Sequence, residues 1–265
     1  MQEVPSQAPI QAGLVPHSTT LQPQMVEIVP SEGWGVLHLY FRITGDRREP
    51  LNLAAAQAAT ERFVAHAPNQ AIWQAVLGPR ADLGLMLIAP DLAIAERLHG
   101  ELLSSPLGAR LEPVPELGFV SLTELSEYSK RDGDDAHMEM LERRLHPQLP
   151  TRKLVCFYPM SKRRVGDDNW YSLDFDTRLK LMGGHGRLGA KFREQIVQLI
   201  TGATGLTDWE WGVTLLADDI KAIKDIVYEM RFDEVSARYG EFGPFTVGIR
   251  GTLAESCALA GCHSA

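Results

Sequence analysis

An α+β fold of two tandem ferredoxin-like units is the architecture this sequence predicts, and an element order that returns at one offset is what predicts it. In the first half, Leu83-Gly84-Leu85-Met86-Leu87-Ile88-Ala89 reads as a buried strand, and Asp91 as the cap of a helix carrying Leu92, Ala95, Leu98 and Leu102. In the second half, Trp211-Gly212-Val213-Thr214-Leu215-Leu216-Ala217 reads as the same kind of strand and Asp219 as the same kind of cap. Placing Asp91 on Asp219 also brings Gly118-Phe119-Val120 close to Phe245-Thr246-Val247, so the order is shared although identity is low. Two β-α-β-α-β units whose sheets pack or join follow from this repeat.

The elements fall in order along the chain. Residues 1–33 carry five of the sixteen prolines, several glutamines and no Lys or Arg, which predicts a flexible extension. Order begins near Trp34 with the strand-like run Val36-Leu37-His38-Leu39-Tyr40-Phe41-Arg42-Ile43, followed by an Ala-rich helical segment over residues 51–66. The first unit spans 34–145, and the charged stretch 127–144 links it to the second, 146–251. There a strand over 154–158 ends at Pro159, which cannot donate to a ladder, so the chain is expected to leave the sheet and expose Tyr158. Asp174 opens a long helix, and residues 252–265 form a tail expected to fray.

At 265 residues and 45% hydrophobic composition the chain can bury a real core. No apolar run approaches the ~20 residues of a membrane span, and the N-terminus lacks the basic start and apolar core of a secretion signal. A net charge of -8 argues against general nucleic-acid binding, because phosphate contacts demand an excess of Lys and Arg. The cations that exist are bunched, with Arg152 and Lys153 just before Lys162, Arg163 and Arg164, which favours a small anionic ligand. Cys156, Cys257 and Cys262 are too few and too badly spaced for a disulfide framework, as expected in a reducing cytoplasm. Cys257, Cys262 and His263 match no zinc spacing.

Three segments could carry chemistry. His185 sits in a predicted helix among Gly183, Gly184, Gly186 and Gly189, each costing roughly 0.5–1 kcal/mol relative to Ala in a helix interior. Such glycines let something bulky approach the backbone, and a porphyrin held by one axial imidazole is a natural candidate; a packed histidine at a helix crossing explains them as well. Tyr158 with the cations that follow could place a phenol beside bound carboxylates, or be a core tyrosine next to a solvated basic loop. Arg231, Ser236 and Arg238 lie at or near the end of the helix begun by Asp219, where ordinary helix termination also accounts for them.

The runs Tyr158-Pro159-Met160-Ser161-Lys162-Arg163, Asn169-Trp170-Tyr171, His185-Gly186, Thr201-Gly202, Glu210-Trp211-Gly212-Val213-Thr214-Leu215 and Tyr228-Glu229-Met230-Arg231-Phe232-Asp233-Glu234-Val235-Ser236-Ala237-Arg238-Tyr239 closely resemble the coproheme decarboxylase branch of the chlorite dismutase-like family. The resemblance is dense from about 144 to 250 and weak before it. It implies a dimeric α+β barrel within one chain and assembly into a homopentamer. It also implies a soluble cytoplasmic enzyme of haem biosynthesis that turns iron coproporphyrin III (coproheme) into haem b with hydrogen peroxide, through a tyrosyl radical. Coproheme would be substrate and redox centre together. By the same resemblance His185 is the iron ligand and Tyr158 the radical site, with Lys162 beside it. Arg144, Lys162, Arg231 and Ser236 hold propionates, Met160 lines the pocket, and Gln198 takes the distal position. True chlorite dismutases carry an arginine at that position, so Gln198 argues against chlorite decomposition. A chlorite dismutase-like haem peroxidase and a non-enzymatic haem carrier or sensor are the rival readings. Thirteen residues of ideal helix would set His185 and Gln198 roughly 20 Å apart, so the helix must end or turn between them.

Overall fold

The computed structural model describes residues 31–129 and 133–265. The expected N-terminal extension lies outside them, apart from residues 31–33, which begin the first strand. The first unit runs β1 (Ser31–Ile43), α1 (Ala54–Ala65), β2 (Gln70–Val76), β3 (Leu83–Ala89), α2 (Leu92–Leu103), β4 (Leu111–Pro113) and β5 (Phe119–Leu125). The charged linker folds into α3 (Asp135–Leu145), with Asp134 accepting from the His137 amide. The second unit runs β6 (Leu154–Lys162), α4 (Phe175–Ala190), β7 (Ile196–Gly202), β8 (Trp211–Ala217), α5 (Ile220–Met230), α6 (Glu234–Tyr239), β9 (Gly240–Phe242) and β10 (Thr246–Gly251), and α7 (Leu253–Leu259) closes the chain.

The three aspartates read as helix caps are caps. Asp91 accepts from the Ala93 amide at 2.8 Å, Asp219 from Lys221 at 2.9 Å, and Asp174 from Thr177 at 2.8 Å. Each thereby satisfies an amide that the first helical turn leaves without a partner.

Each unit carries one strand more than the repeat predicted, so its order is β-α-β-β-α-β, with the short β4 and β9 added. Neither β2 (Gln70–Val76) nor β7 (Ile196–Gly202) alternates cleanly in sequence, since each places glutamine among its apolar residues. The strand order is β2-β3-β1-β5 in the first unit and β7-β8-β6-β10 in the second, the same arrangement twice. The units join where β5 pairs with β7, through Leu122↔Gly202 and Thr123↔Thr201, and where β10 pairs with β2, through Gly248↔Val76 to Gly251↔Trp73. Because β10 also pairs with β6, the hydrogen-bonded path returns to its start.

Pro159 does not end its strand. β6 runs on to Lys162, and Pro159 lies opposite Gly212 within the β6–β8 ladder. On its other side the partner changes from β10, which reaches Phe157, to β9, which begins opposite Met160. The proline sits at that changeover, where its carbonyl accepts from the Gly243 amide at 2.9 Å and its missing N–H leaves no ladder bond unmade. Tyr158 is therefore inside a strand rather than at an exposed end.

The tail does not fray either. Thr252 and Glu255 form a capping box at the start of α7, and Leu253, Cys257 and Cys262 are buried in the core that α1 and α2 form over the first unit's strands. Leu51 and the tail exchange backbone hydrogen bonds, Leu51 N to His263 O at 2.7 Å and Ala265 N to Leu51 O at 3.0 Å. Among the described residues no group of three or more His, Cys, Asp or Glu could hold a metal ion. No described helix is long and apolar enough to cross a membrane.

Alternation along the strands separates two kinds of core. Leu37, Phe41, Leu85 and Leu87 face α1 and α2 in one unit, and Leu154, Val213, Leu215 and Ala217 pack with Ile223 and Ile226 of α5 in the other. The opposite strand faces meet between the units, where Val36, Met86 and Ile88 pack with Val155, Leu199 and Leu216. His38 Nε2 meets Thr214 Oγ1 there at 3.0 Å, and Tyr40 meets Thr246 at 2.7 Å. Both links satisfy buried polar groups across the junction.

Candidate functional site

The helix-facing side of the second unit gathers most of the residues singled out in the sequence. On β6, Tyr158, Met160 and Lys162 alternate onto one face, two residues apart, and Tyr158 and Met160 pack against the α5 core. On β7 the same face carries Ile196, Gln198, Ile200 and Gly202. Opposite them lies α4, which forms despite its glycines because Asp174 caps it, Asp176 and Arg187 suit the dipole at its two ends, and Leu181 and Met182 anchor it on Trp170, Val235 and Tyr239.

His185 projects from this helix. Its Nδ1 lies 2.7 Å from Asp233 Oδ2, and the side chain is 27% exposed. Burial is the main influence lowering its pKa; the Asp233 hydrogen bond opposes it and the nearby Lys162 charge adds to it. The imidazole is thus neutral, with the Nδ1 proton donated to Asp233 and the Nε2 lone pair without a hydrogen-bond partner among the described residues, a one-point donor suited to a metal. The same Asp233 oxygen accepts from the Ser236 amide at 3.3 Å and caps α6. Ser236 and Arg238 therefore belong to a second helix, not to the end of the one begun by Asp219.

Around His185 the glycines are not explained by close packing. A Cβ at Gly186 would meet nothing within 4 Å, and at Gly183 or Gly184 only the Arg187 guanidinium, at 3.6 and 3.9 Å. Close packing therefore does not account for these three, and the helix is open on their side; Gly189 differs, being buried with its Cβ position 3.4 Å from Gln198 Nε2. Ile200 on the facing strand is 44% exposed, unusual for a large apolar residue within a sheet.

Lys162 is 6% exposed and makes no ion pair among the described residues. Its ammonium stands 4.8 Å over the Trp170 ring, and burial lowers its pKa to about 8, against the raising influence of Asp233 and Glu210. Tyr158 stacks on Phe245 at 4.2 Å; burial raises its pKa, with Arg231 pulling the other way. Arg231 caps the C-terminus of α5, makes no ion pair among the described residues, and lays its guanidinium 4.2 Å over Phe242, whose ring is 6.0 Å from Tyr158.

The bunched cations do not act together. Arg152 pairs with Asp218 at 2.6 Å, Arg163 with Asp168 at 3.4 Å, Arg164 lies 3.9 Å from Glu210, and Arg238 pairs with Asp168 at 2.6 Å. Lys162 alone of its run turns inward. Arg144 is exposed on the last turn of α3, and no hydrogen bond or ion pair joins it to the other candidates.

The helix ends at Ala190, and the chain returns as β7, which brings Gln198 back beside it: Gln198 Nε2 donates to Gly189 O at 3.3 Å. His185 and Gln198 thus occupy facing elements. Asp233 is the residue that sequence reasoning left without a role, although its spacing to Ser236 is that of a helix cap.

The family model for chlorite dismutase matches residues 53–251. Among solved structures, a heme-binding protein from Thermus thermophilus is 36% identical, with a TM-score of 0.76 over 88% of this chain and 97% of that one. The imidazole complex of chlorite dismutase from Candidatus Nitrospira defluvii superposes with a TM-score of 0.71 at 16% identity, over 87% of this chain and 96% of that one, a likeness of fold. A family model that spans most of the chain, joined to a 36% identical structural relative, places this protein in the chlorite dismutase family.

Proposed function

We propose that the protein binds coproheme between α4 and the facing strands and converts two of its propionates to vinyl groups with hydrogen peroxide, yielding haem b. The observation that carries this reading is Lys162, a buried ammonium without an ion pair among the described residues, on the same strand face as the buried phenol of Tyr158. An unpaired buried cation is expensive, and a ligand carboxylate would compensate it. The heme-binding relative supports a porphyrin as that ligand.

The residues fit such a group. His185 offers Nε2 while Asp233 holds Nδ1, the second contact that usually orients a metal-bound imidazole. The open flank at Gly183, Gly184 and Gly186 leaves room for a flat ring. In this reading Lys162, Arg231, Ser236 and Arg144 would hold propionates, Met160 would line the pocket, and Gln198 would face the bound ring from β7.

When bound, the coproheme iron supplies the oxidising power of peroxide to the site. Tyr158 gives up its O–H hydrogen and then takes one from the β-carbon of the propionate held beside it. Burial favours this use of the phenol, since it keeps the group protonated and excludes water. For each propionate, the carboxylate, one peroxide and one proton give a vinyl group, carbon dioxide and two waters. Lys162 fixes the carboxylate until carbon dioxide leaves.

Gln198 favours this chemistry over chlorite decomposition, since a neutral amide lacks the charge that would retain an oxychlorine anion. The test is to add ferric coproheme and peroxide to purified protein and follow porphyrin masses. Two successive losses of a carboxyl group are expected; coproheme that stays intact or is merely bleached would overturn the reading.

A further inference from the structure

We infer that Glu210 is a positioning residue for Lys162: one buried carboxylate ties the strand of Lys162 to the turn carrying Trp170, and so fixes where the ammonium meets a substrate carboxylate. The inference deepens the reading above and rests on it. Glu210 immediately precedes β8 and is 6% exposed. Its backbone is pinned to the neighbouring strand, since its amide donates to Met160 O at 3.1 Å and to Ser161 Oγ at 3.2 Å, while its carbonyl accepts from the Ala203 amide at 2.8 Å. The carboxylate therefore reaches out from a fixed point.

Each of its oxygens takes a different partner. Oε2 accepts from the Lys162 amide at 2.7 Å, and Oε1 accepts from the Tyr171 hydroxyl at 2.6 Å. Tyr171 follows Trp170, and the Lys162 ammonium stands over the Trp170 ring, 4.8 Å from its centre. The carboxylate thus spans from the backbone of Lys162 to the turn on which the Lys162 side chain rests. A backbone bond, Trp170 N to Arg163 O at 2.9 Å, holds the same turn at one point. The second point, supplied through Tyr171, removes the freedom to pivot about the first.

A charged side chain suits this place for two reasons. Both partners are donors, and a carboxylate accepts at each oxygen and strengthens both bonds. Glu210 also acts on the ammonium at a distance: with Asp233 it favours the charged form of Lys162, yet with both oxygens engaged elsewhere it makes no ion pair with it. Lys162 thus stays charged, placed and open to a ligand carboxylate. Arg164, 66% exposed and 3.9 Å from Oε1, is too well solvated to cancel the Glu210 charge. Glu210 takes no part in bond breaking and acts through Lys162.

The test is a double-mutant cycle on the full chain, with ferric coproheme titrated at the Soret band and, in fully loaded protein, the rate of the first decarboxylation followed by mass after peroxide is added. Glu210→Gln keeps the length of the side chain and removes its charge; Tyr171→Phe removes only the link to the turn, and carries the cycle if Glu210→Gln fails to fold. Each should weaken coproheme several-fold and also slow the first decarboxylation at full loading, where a change in affinity alone leaves the rate unmoved. In a Lys162→Met background either change should have little further effect on affinity, because the group it positions is gone. An equal loss of affinity in both backgrounds, or a wild-type rate in the loaded single variants, overturns the inference and leaves coproheme decarboxylation standing. Failure of wild-type protein to bind coproheme overturns both.

Discussion

Asp233 offers a test of the site that needs no assumption about turnover. One of its oxygens serves two partners, the His185 imidazole at 2.7 Å and the Ser236 amide at 3.3 Å. Asn caps helices about as well as Asp, so Asp233→Asn should keep α6 in place while replacing the charged acceptor of His185 with a neutral one. Asp233→Ala removes both contacts. Loss of the cap costs about 0.5–2 kcal/mol, and in a chain of this size each kcal/mol lowers Tm by about 2–4 °C. A partner that orients a metal ligand typically contributes about 10–100-fold in affinity. Thermal melts of the unloaded protein and titration with ferric haem, read at the Soret band, separate the two effects. The Asn variant should melt close to wild type yet bind iron more weakly or with an altered spectrum; the Ala variant should lose on both counts. If both variants bound ferric haem with unchanged affinity and spectrum, His185 would not be the iron ligand and the site would have to be placed elsewhere.

Tyr158→Phe keeps the stacking on Phe245 and removes only the O–H, so coproheme binding should stay near normal while mass spectrometry shows neither the mono-decarboxylated species nor haem b accumulating at a comparable rate. Lys162→Met should weaken coproheme by about 1.5–3 kcal/mol, roughly 10–100-fold, and a haem with only two propionates by less; equal losses would mean that Lys162 does not read the extra carboxylates. Since burial brings the Lys162 pKa from 10.5 down to about 8, the unfolded chain binds a proton between those values that the folded chain does not. Stability of the unloaded protein should therefore rise from pH 8 toward 10.5, coproheme affinity should fall over the same climb, and Lys162→Met should flatten both. His38, buried between the units, has its pKa lowered from 6.5 to about 3, so stability should fall as acid is added through that window, and urea melts of His38→Gln should show a shallower acid limb.

What was legible in the sequence was whatever local chemistry decides. Asp91, Asp174 and Asp219 announce helix starts because an aspartate ahead of an apolar period has a specific job, and each does it. The strands Leu83–Ala89 and Trp211–Ala217 were read to the residue because both are buried almost throughout and Thr214 alone is polar among them. β2 and β7 escaped because their polar residues face other elements: Gln74 is buried on one face of β2, and Gln198 turns toward α4. Pro159 misled for a related reason, since the penalty for its missing N–H depends on whether a neighbouring strand stands there, and at that position β10 has just given way to β9.

The candidate site divides along the same line. His185, Tyr158 and Lys162 were nameable from residue type and motif, but their meaning depended on facts that only packing supplies. A basic run does not say which of its members turns inward. Arg152, Arg163 and Arg164 reach solvent and find carboxylates, whereas Lys162 shares the parity of Tyr158 on β6 and is drawn beneath Trp170. A strand of alternating direction thus sorts the cations of one short run into solvated ones and one held in reserve. In the proposed reading that sorting would make the site selective: a single inward ammonium flanking a phenol would hold one carboxylate at the reacting position while Arg152, Arg163 and Arg164 stay with their own acids. In the same reading a substrate with several carboxylates would present them to Tyr158 one at a time, so its decarboxylation would be stepwise.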